Sequence, residues 1–282
     1  MGRPPAQSQR HPGWTEPMRP RPMDEMRTYE GRDLLRGKRA LISGGDSGIG
    51  RAVSVAFAKE GADVAIGYLS EDSDAEYTTE LVEETGRRAV AIRGDVAERE
   101  VCRELVRGSV AELGGLDVVV THAATQAPVD DPTELSSDML TRTFQVNVYG
   151  VFWTIQEALP YLSEGSSIIV TGSINGLRGN TRLIDYAASK AAVMNLSRSL
   201  AQTLVGRGIR VNCVAPGPVW TPLIPATLEE DAVEGFGEHS PMGRAAEPDE
   251  IAPSYVFFAS DALSSYYTGE TLTPTGGEIQ PS

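Results

Sequence analysis

The sequence predicts a doubly wound α/β domain, a single unit in which a parallel seven-stranded sheet is covered by helices on both faces in three αβα layers. Three observations carry this. From Lys38 onward short apolar runs alternate with longer amphipathic stretches, and that alternation yields parallel strands whose crossover helices pack on the sheet. A glycine-rich turn follows the first apolar run directly, where a strand passes into a helix. The length of 282 residues suits one large α/β domain plus an extra segment, and is too short for two.

In chain order, residues 1–36 come first, with six Pro, seven Arg and five acidic residues and no helical or strand period. Such a segment cannot build a core of its own. It is expected to be an extended N-terminal arm, either a flexible tail or a strap on a neighbouring subunit. The catalytic domain is then 37–282. Its strands are expected at 40–43, 63–68, 89–93, 118–121, 167–171, 210–214 and 270–274. Helices are expected around 48–60, 72–86, 98–113, 136–160, 184–206 and 248–260, each with apolar positions near a 3.6-residue period. The proline-rich stretch 216–248 breaks the alternation after the sixth strand and is expected to be a substrate lid.

Composition narrows the function classes. The hydrophobic fraction of 40% and charged fraction of 23% are ordinary for a globular protein, and no apolar run is long enough to span a bilayer. Residues 1–36 contain no apolar stretch of secretory type, and Cys102 and Cys213 are too few for a disulfide framework. A cytoplasmic protein is expected. The net charge of −14, without a basic run, argues against a nucleic-acid partner. The three histidines are scattered, so no metal is expected. Of 25 Lys and Arg, only three are Lys, at 38, 59 and 190.

After the first strand the chain reads Ser43-Gly44-Gly45-Asp46-Ser47-Gly48-Ile49-Gly50 and enters a helix at once. Glycines there permit a tight turn and close approach of backbone to a pyrophosphate, and the helix N-terminus adds N–H groups and a favourable dipole. A Walker A loop is excluded, because Arg51 and Ala52 follow the last glycine. Cofactor choice depends on the end of the second strand, where a carboxylate would bind a ribose diol and an arginine a 2′-phosphate. The stretch reads Tyr68-Leu69-Ser70-Glu71-Asp72, with neither the usual aspartate nor a base in place. Its acidity leans toward NAD over NADP.

At the other end of the sheet, Tyr186-Ala187-Ala188-Ser189-Lys190 puts a phenol and an ammonium four apart on one helix face. A nearby cation stabilises phenolate and lowers a tyrosine pKa from about 10, as a general acid/base requires. In a lysine-poor chain the spacing is a stronger signal than usual. Ser173 lies 13 residues before Tyr186 at a strand end, where its hydroxyl either faces the cleft or caps the strand. Asn147 lies in the expected helix 136–160, where a buried amide needs a reason: a site role, a kink or a core hydrogen bond.

Together these residues resemble the short-chain dehydrogenase/reductase family, whose turn reads T-G-x-x-x-G-I-G and whose active helix carries Y-x-x-x-K. The resemblance covers 38 to about 277 and extends to a bacterial subgroup with a Pro-rich arm and a G-G-D-S-G-I-G turn, general stress proteins and glucose-dehydrogenase-like oxidoreductases. It implies a Rossmann fold and a catalytic set of Asn147, Ser173, Tyr186 and Lys190. Tyr186 would move the proton and Ser173 hold the substrate oxygen. Lys190 would lower the tyrosine pKa and bind the nicotinamide ribose, and Asn147 would hold a relay water. Asp95 and Val96 would meet the adenine, with a helix cap as the alternative reading of Asp95. Pro216, Gly217, Val219 and Thr221 would lie along the nicotinamide and pyrophosphate. One segment departs: relatives carry N-N-A-G where this chain reads Thr121-His122-Ala123-Ala124. The braces supplied by asparagine are gone, and His122 is read as a polar substitute beside the cofactor, an acid/base role being the alternative.

The implied function is interconversion of a carbonyl and an alcohol on a small molecule, using NAD or NADP, by a homotetramer. The competing reading is a dinucleotide-binding regulator or scaffold that keeps the fold without turnover.

Overall fold

Val, Ile and Ala fill the interior strands because a parallel sheet covered on both faces leaves its strands no polar side. In a computed structural model, which describes residues 3–278, seven such runs pair in parallel. They are β1 (Arg39–Ser43), β2 (Asp63–Tyr68), β3 (Ala89–Arg93), β4 (Val118–Thr121), β5 (Ser167–Thr171), β6 (Arg210–Val214) and β7 (Thr271–Leu272), in the order β3-β2-β1-β4-β5-β6-β7. Met1, Gly2 and 279–282, the ends of the expected arm and domain, lie outside the described residues. Edge strand β7 is shorter than expected. Only Thr271 and Leu272 keep register with β6, and the chain then turns to lay Pro274 O against Gly217 N.

Helices α1 (Gly48–Lys59) and α2 (Asp72–Glu83) follow β1 and β2, and α3 (Arg99–Leu113) follows β3. The helix expected over 136–160 is not continuous. It comprises α4 (Ser137–Phe144), a π-helical turn (Gln145–Gly150) and α5 (Val151–Ala158). Next come α6 (Ile174–Arg178) and the long α7 (Ile184–Leu204). The stretch expected to be irregular contains two short helices, α8 (Leu223–Thr227) and α9 (Glu230–Val233). α10 (Pro248–Ala259), with Pro248 at its first position and a capping box between Glu247 and Glu250, and α11 (Asp261–Ser264) complete the chain. One core joins α1 and α10 to the sheet, and the other joins α3, α5 and α7 to its opposite face. No helix among the described residues is long and apolar enough to cross a membrane.

α7 buries Ala187, Lys190, Met194, Ser197, Ala201 and Leu204, one stripe at three- and four-residue spacing. Small side chains let it lie close to the sheet. Its serines satisfy themselves within the helix, Ser189 Oγ donating to Tyr186 O at 2.7 Å and Ser197 Oγ to Met194 O at 2.8 Å.

The arm is not a free tail: the described residues place it on its own chain. Met26 and Leu35 join the α1/α10 core, and Met18 packs with Trp220, Ile224 and Val233. Its composition forbids a private core, so it completes the domain's. Polar anchors fix it. Glu60 accepts from Arg32 N at 2.8 Å and Leu34 N at 2.9 Å, Lys59 Nζ donates to Met26 O at 2.6 Å, and Trp220 Nε1 donates to Pro20 O at 2.8 Å.

Arg51 is the deepest of these anchors, with 1% of its surface exposed. Its guanidinium meets Asp24 Oδ2 of the arm at 3.0 Å, Asp74 Oδ1 of α2 at 2.5 Å, Thr78 Oγ1 at 2.8 Å and Asp46 O of the glycine turn at 3.1 Å. Removing one partner of such a buried group strands the others, at a cost of about 3–5 kcal/mol. Arg51→Ala is therefore expected to lower the unfolding free energy read from chemical denaturation by an amount of that order; a change under about 1 kcal/mol would show that the carboxylates find other partners.

Candidate active site

Because β1 neighbours β4 and the crossovers leave them in opposite directions, a crevice opens at the carboxyl ends of the strands. A cleft of ≈ 640 Å³ lies there, lined at one end by the glycine turn and at the other by Tyr186. That volume suits a cofactor-sized ligand.

Gly44 (φ 69°) and Gly48 (φ 52°) adopt the left-handed backbone that favours glycine. A Cβ on Gly48 would lie 2.9 Å from Thr221 Cγ2, and one on Gly44 3.0 Å from the Ala123 backbone. Both glycines line the cleft with Asp46, Ser47 and Ile49. Gly50 stands behind them and outside the lining. A Cβ there would fall 1.8 Å from Gly44 O, so its role is to let α1 pack against the turn. One first-turn N–H is taken from within, since Gly48 N donates to Asp24 Oδ2 of the arm at 3.2 Å. The Ser43 hydroxyl accepts from His122 N at 3.1 Å and Ala123 N at 3.3 Å, which ties the unusual 121–124 segment to β1.

Tyr68 and Leu69 line the cleft at the end of β2, beside Glu71. Asp46, 4% exposed, has one carboxylate oxygen, Oδ2, without a hydrogen-bond partner among the described residues. Burial, with the Glu71 and Asp74 carboxylates adding to it, pushes Asp46 up to about 7. A buried unmatched acceptor bordering a cleft is a place for a ligand hydroxyl. Asp95 and Val96 also line the cleft, and the Asp95 side chain closes a turn ahead of α3 rather than capping the helix, whose first-turn cap position is Glu98. Oδ1 accepts from Ala97 N at 2.9 Å ahead of α3, while Oδ2 pairs with Arg142 Nη1 at 2.8 Å. The glycine cradle, the orphaned acceptor and the volume of the cleft fit a nicotinamide dinucleotide.

At the far end Ser173, Tyr186 and Lys190 line the same cleft. Ser173 starts α6 and its Oγ accepts from Asn175 N at 3.1 Å, so the residue caps a helix and faces Tyr186 at once. Lys190, 2% exposed, donates from Nζ to Thr171 O at 2.8 Å and lies 5.6 Å from the Tyr186 ring centroid. Burial pulls Lys190 down to about 8. Tyr186 is pushed above its usual value by burial, with the Ser173 hydroxyl opposing. The depression of Tyr186 expected from its neighbouring ammonium is not found: burial sets the direction, and the Ser173 hydroxyl alone opposes it.

Asn147 does not line the cleft. It is 0% exposed inside the π turn, a distortion that recurs at functional sites. Its Oδ1 accepts from Thr125 N at 2.8 Å, and its two amide protons go to Thr125 O at 2.9 Å and Ser189 Oγ at 3.0 Å. It clamps the strand-to-loop segment to α7. His122 Nδ1 lies 3.2 Å from Thr171 Oγ1, which lies 2.8 Å from the Tyr255 hydroxyl. Burial and the Lys190 charge pull His122 down to about 3. The uncharged ring is thereby favoured, and it links the segment after β4 to β5 at the edge of the cleft.

Pro216, Gly217, Val219 and Thr221 line the cleft from the side of β6, and Val219 is bridged to Ala246. Of the apolar residues in 216–248, Trp220, Ile224, Leu228 and Phe236 pack together around Met18 of the arm, while Met242 is exposed. Nothing in the sequence singles out Arg142, Asp185 or His11. Arg142 holds Asp95, Asp185 Oδ2 accepts from Thr143 Oγ1 at 2.6 Å, and His11 enters the cleft from the arm. The position of Ser189, three after Tyr186 on the buried face, is the one readable signal among the added residues.

Comparison with known proteins agrees with this geometry. A family model described as enoyl-(acyl carrier protein) reductase matches residues 44–278. General stress protein 39 of Bacillus subtilis (strain 168) is 53% identical over 276 residues, 98% of this chain and 96% of that protein. The NADPH-dependent aldehyde reductase 1, chloroplastic, of Arabidopsis thaliana is 43% identical over 274 residues, 95% of each. A short-chain dehydrogenase from Burkholderia cenocepacia J2315, solved in complex with NADP, superposes with a TM-score of 0.80 at 34% identity, covering 86% of this chain and 98% of that one. With the glycine turn, the parallel sheet and the Tyr186 helix in place, the chain belongs to the short-chain dehydrogenase/reductase family and is an NAD(P)-dependent oxidoreductase of it.

Proposed function

We propose that the protein interconverts a carbonyl and an alcohol on a small molecule, with Tyr186 as general acid/base. The observation that carries this reading is the presence of Ser173, Tyr186 and Lys190 in the same cleft as the glycine cradle. Bound NAD(P)H supplies the hydride. In reduction, Ser173 Oγ holds the carbonyl oxygen and the Tyr186 hydroxyl gives its proton to that oxygen; in oxidation the phenolate takes it back. Lys190 offsets the phenolate charge from α7 and reaches the nicotinamide ribose with a movable ammonium, which a rigid guanidinium would do poorly. Asn147, buried behind the cleft, fixes the 121–125 segment through both the N–H and the carbonyl of Thr125.

At the cofactor end, the Val219 backbone serves the carboxamide, Thr221 the pyrophosphate and Asp95 and Val96 the adenine. Asp46 and Glu71 favour a ribose diol over a 2′-phosphate, hence NAD. Residues 216–248 are the substrate lid. The free, buried Cys102 and Cys213 suit a reducing cytoplasm.

Apolar side chains left exposed suggest the assembly. Tyr149 and Phe152 stand out from the π turn and α5, Val205 from the end of α7, and Tyr266, 99% exposed, just before β7. We assign these faces to a homotetramer. Sedimentation at micromolar concentration should give four times the chain mass, and a monomer alone would reject the assignment.

Tyr186→Phe should abolish turnover of a screened aldehyde, ketone or diketone while dinucleotide affinity stays within about twofold; near wild-type rates would overturn the acid/base role. The pH dependence follows from Lys190. Its ammonium is present below about 8 and lost above it, whereas Tyr186, raised by burial, stays protonated through this range. For reduction, kcat/KM should be flat from about pH 6 to 7 and fall above pH 8 by about tenfold per unit. A profile flat to pH 10 would show that the lysine charge is not required.

A further inference from the structure

The arm reaches the cleft as well as the back of the glycine turn. His11 and Pro12 both line it. The His11 ring is held by Thr125, with Nε2 3.3 Å from Thr125 Oγ1, and Thr125 is itself clamped by Asn147 on both its N–H and its carbonyl. Arg142 and Asp95, paired at 2.8 Å, are the charged groups that act on this imidazole. His11 therefore borders the Asp95 end of the cleft.

The segment around His11 is fastened on two sides. Gln9 N donates to Pro225 O at 2.7 Å, and Gly13 (φ 97°) lies so close to α8 that a Cβ there would stand 2.5 Å from Pro222 O. Two residues later Thr15 N donates to Asp74 Oδ2 at 2.9 Å. The backbone that carries the ring is thus fixed by the 216–248 loop on one side and by α2 on the other before any ligand enters. His11 is exposed at the mouth of the cleft, and partial desolvation with the Arg142 guanidinium pushes it below its ordinary value, toward the uncharged imidazole. A fixed neutral aromatic ring beside a cleft is a stacking surface for a nucleobase, with little entropy to lose on contact.

We propose that the N-terminal arm supplies part of the cofactor site in cis, His11 and Pro12 closing over the adenosine half of the dinucleotide with the imidazole against the adenine. The proposal rests on the cleft being the dinucleotide site, with Asp95 at its adenine end. It gives the Pro-rich segment a function that its composition alone does not. The arm becomes a fixed wall of the nucleotide site, and 216–248 is tied to that wall through Pro222 and Pro225.

The full-length protein and His11→Ala are compared for binding of ADP-ribose and of nicotinamide mononucleotide, with Thr125→Val and the double variant completing a cycle. His11→Ala is expected to weaken ADP-ribose by about fivefold and to leave nicotinamide mononucleotide affinity and the melting temperature unchanged. Thr125→Val should reproduce part of that loss, and the double variant should add little to it. Unchanged ADP-ribose affinity in His11→Ala would overturn the proposal. So would an equal loss for both halves of the cofactor, which would mean that His11 acts through the fold. Wild-type protein that binds neither half would remove the dinucleotide reading itself, an outcome separate from loss in the variant alone.

Discussion

A guanidinium taken out of water is tolerated only where carboxylates and carbonyls surround it, and Arg51 imposes that condition on the cofactor half of the molecule. It follows the glycine turn directly, so the groups that satisfy it must gather at that turn. Asp24 comes from the arm, Asp74 from α2 and the Asp46 carbonyl from the turn itself. The dependence is mutual. Asp24, Asp46, Glu71 and Asp74 are all buried in a chain of net charge −14, and Arg51 is the cation among them. One side chain thus fixes the cradle, the first crossover helix and the arm to one another.

Lysine is used differently. Each of the three lysines donates to a main-chain carbonyl: Lys38 to Gly165 at 3.4 Å, Lys59 to Met26 and Tyr29 at 2.6 and 3.0 Å, and Lys190 to Thr171 at 2.8 Å. Arginine takes the ion pairs, many of them at the surface, where its fork matches carboxylates and each pair contributes little. The scarcity that makes Lys190 stand out therefore has a structural side, a compact ammonium kept for anchoring backbone. At Lys190 the anchor also aims the charge at Tyr186.

The departure at 121–124 is repaired by other means. Without asparagines after β4, the Ser43 hydroxyl holds the His122 and Ala123 N–H groups. His122 then extends a buried chain through Thr171 to Tyr255 of α10. Thr171 carries two tasks, its hydroxyl in this chain and its carbonyl under Lys190. The central strands are thereby braced to the active helix by a network whose members lie on β1, the segment after β4, β5, α7 and α10.

The sequence by itself determined the strands, the major helices and the family, because those depend on local period and on glycine at positions where other residues collide. Gly48 against Thr221 and Gly50 against Gly44 are such positions, and Tyr186 with Lys190 needs only helical geometry. What the tertiary structure alone decided lies in contacts between distant segments. The π turn at Asn147 depends on Thr125 and Ser189, and a periodic pattern carries no trace of it. The arm looked coreless because its apolar residues, Met18, Met26 and Leu35, are few and aperiodic; they are buried by surfaces about 20 to 230 residues away in the chain. The pKa values moved for the same reason. Spacing places a lysine beside a tyrosine, but how far each is taken out of water is a property of the folded whole, and at Tyr186 desolvation sets the direction of the shift.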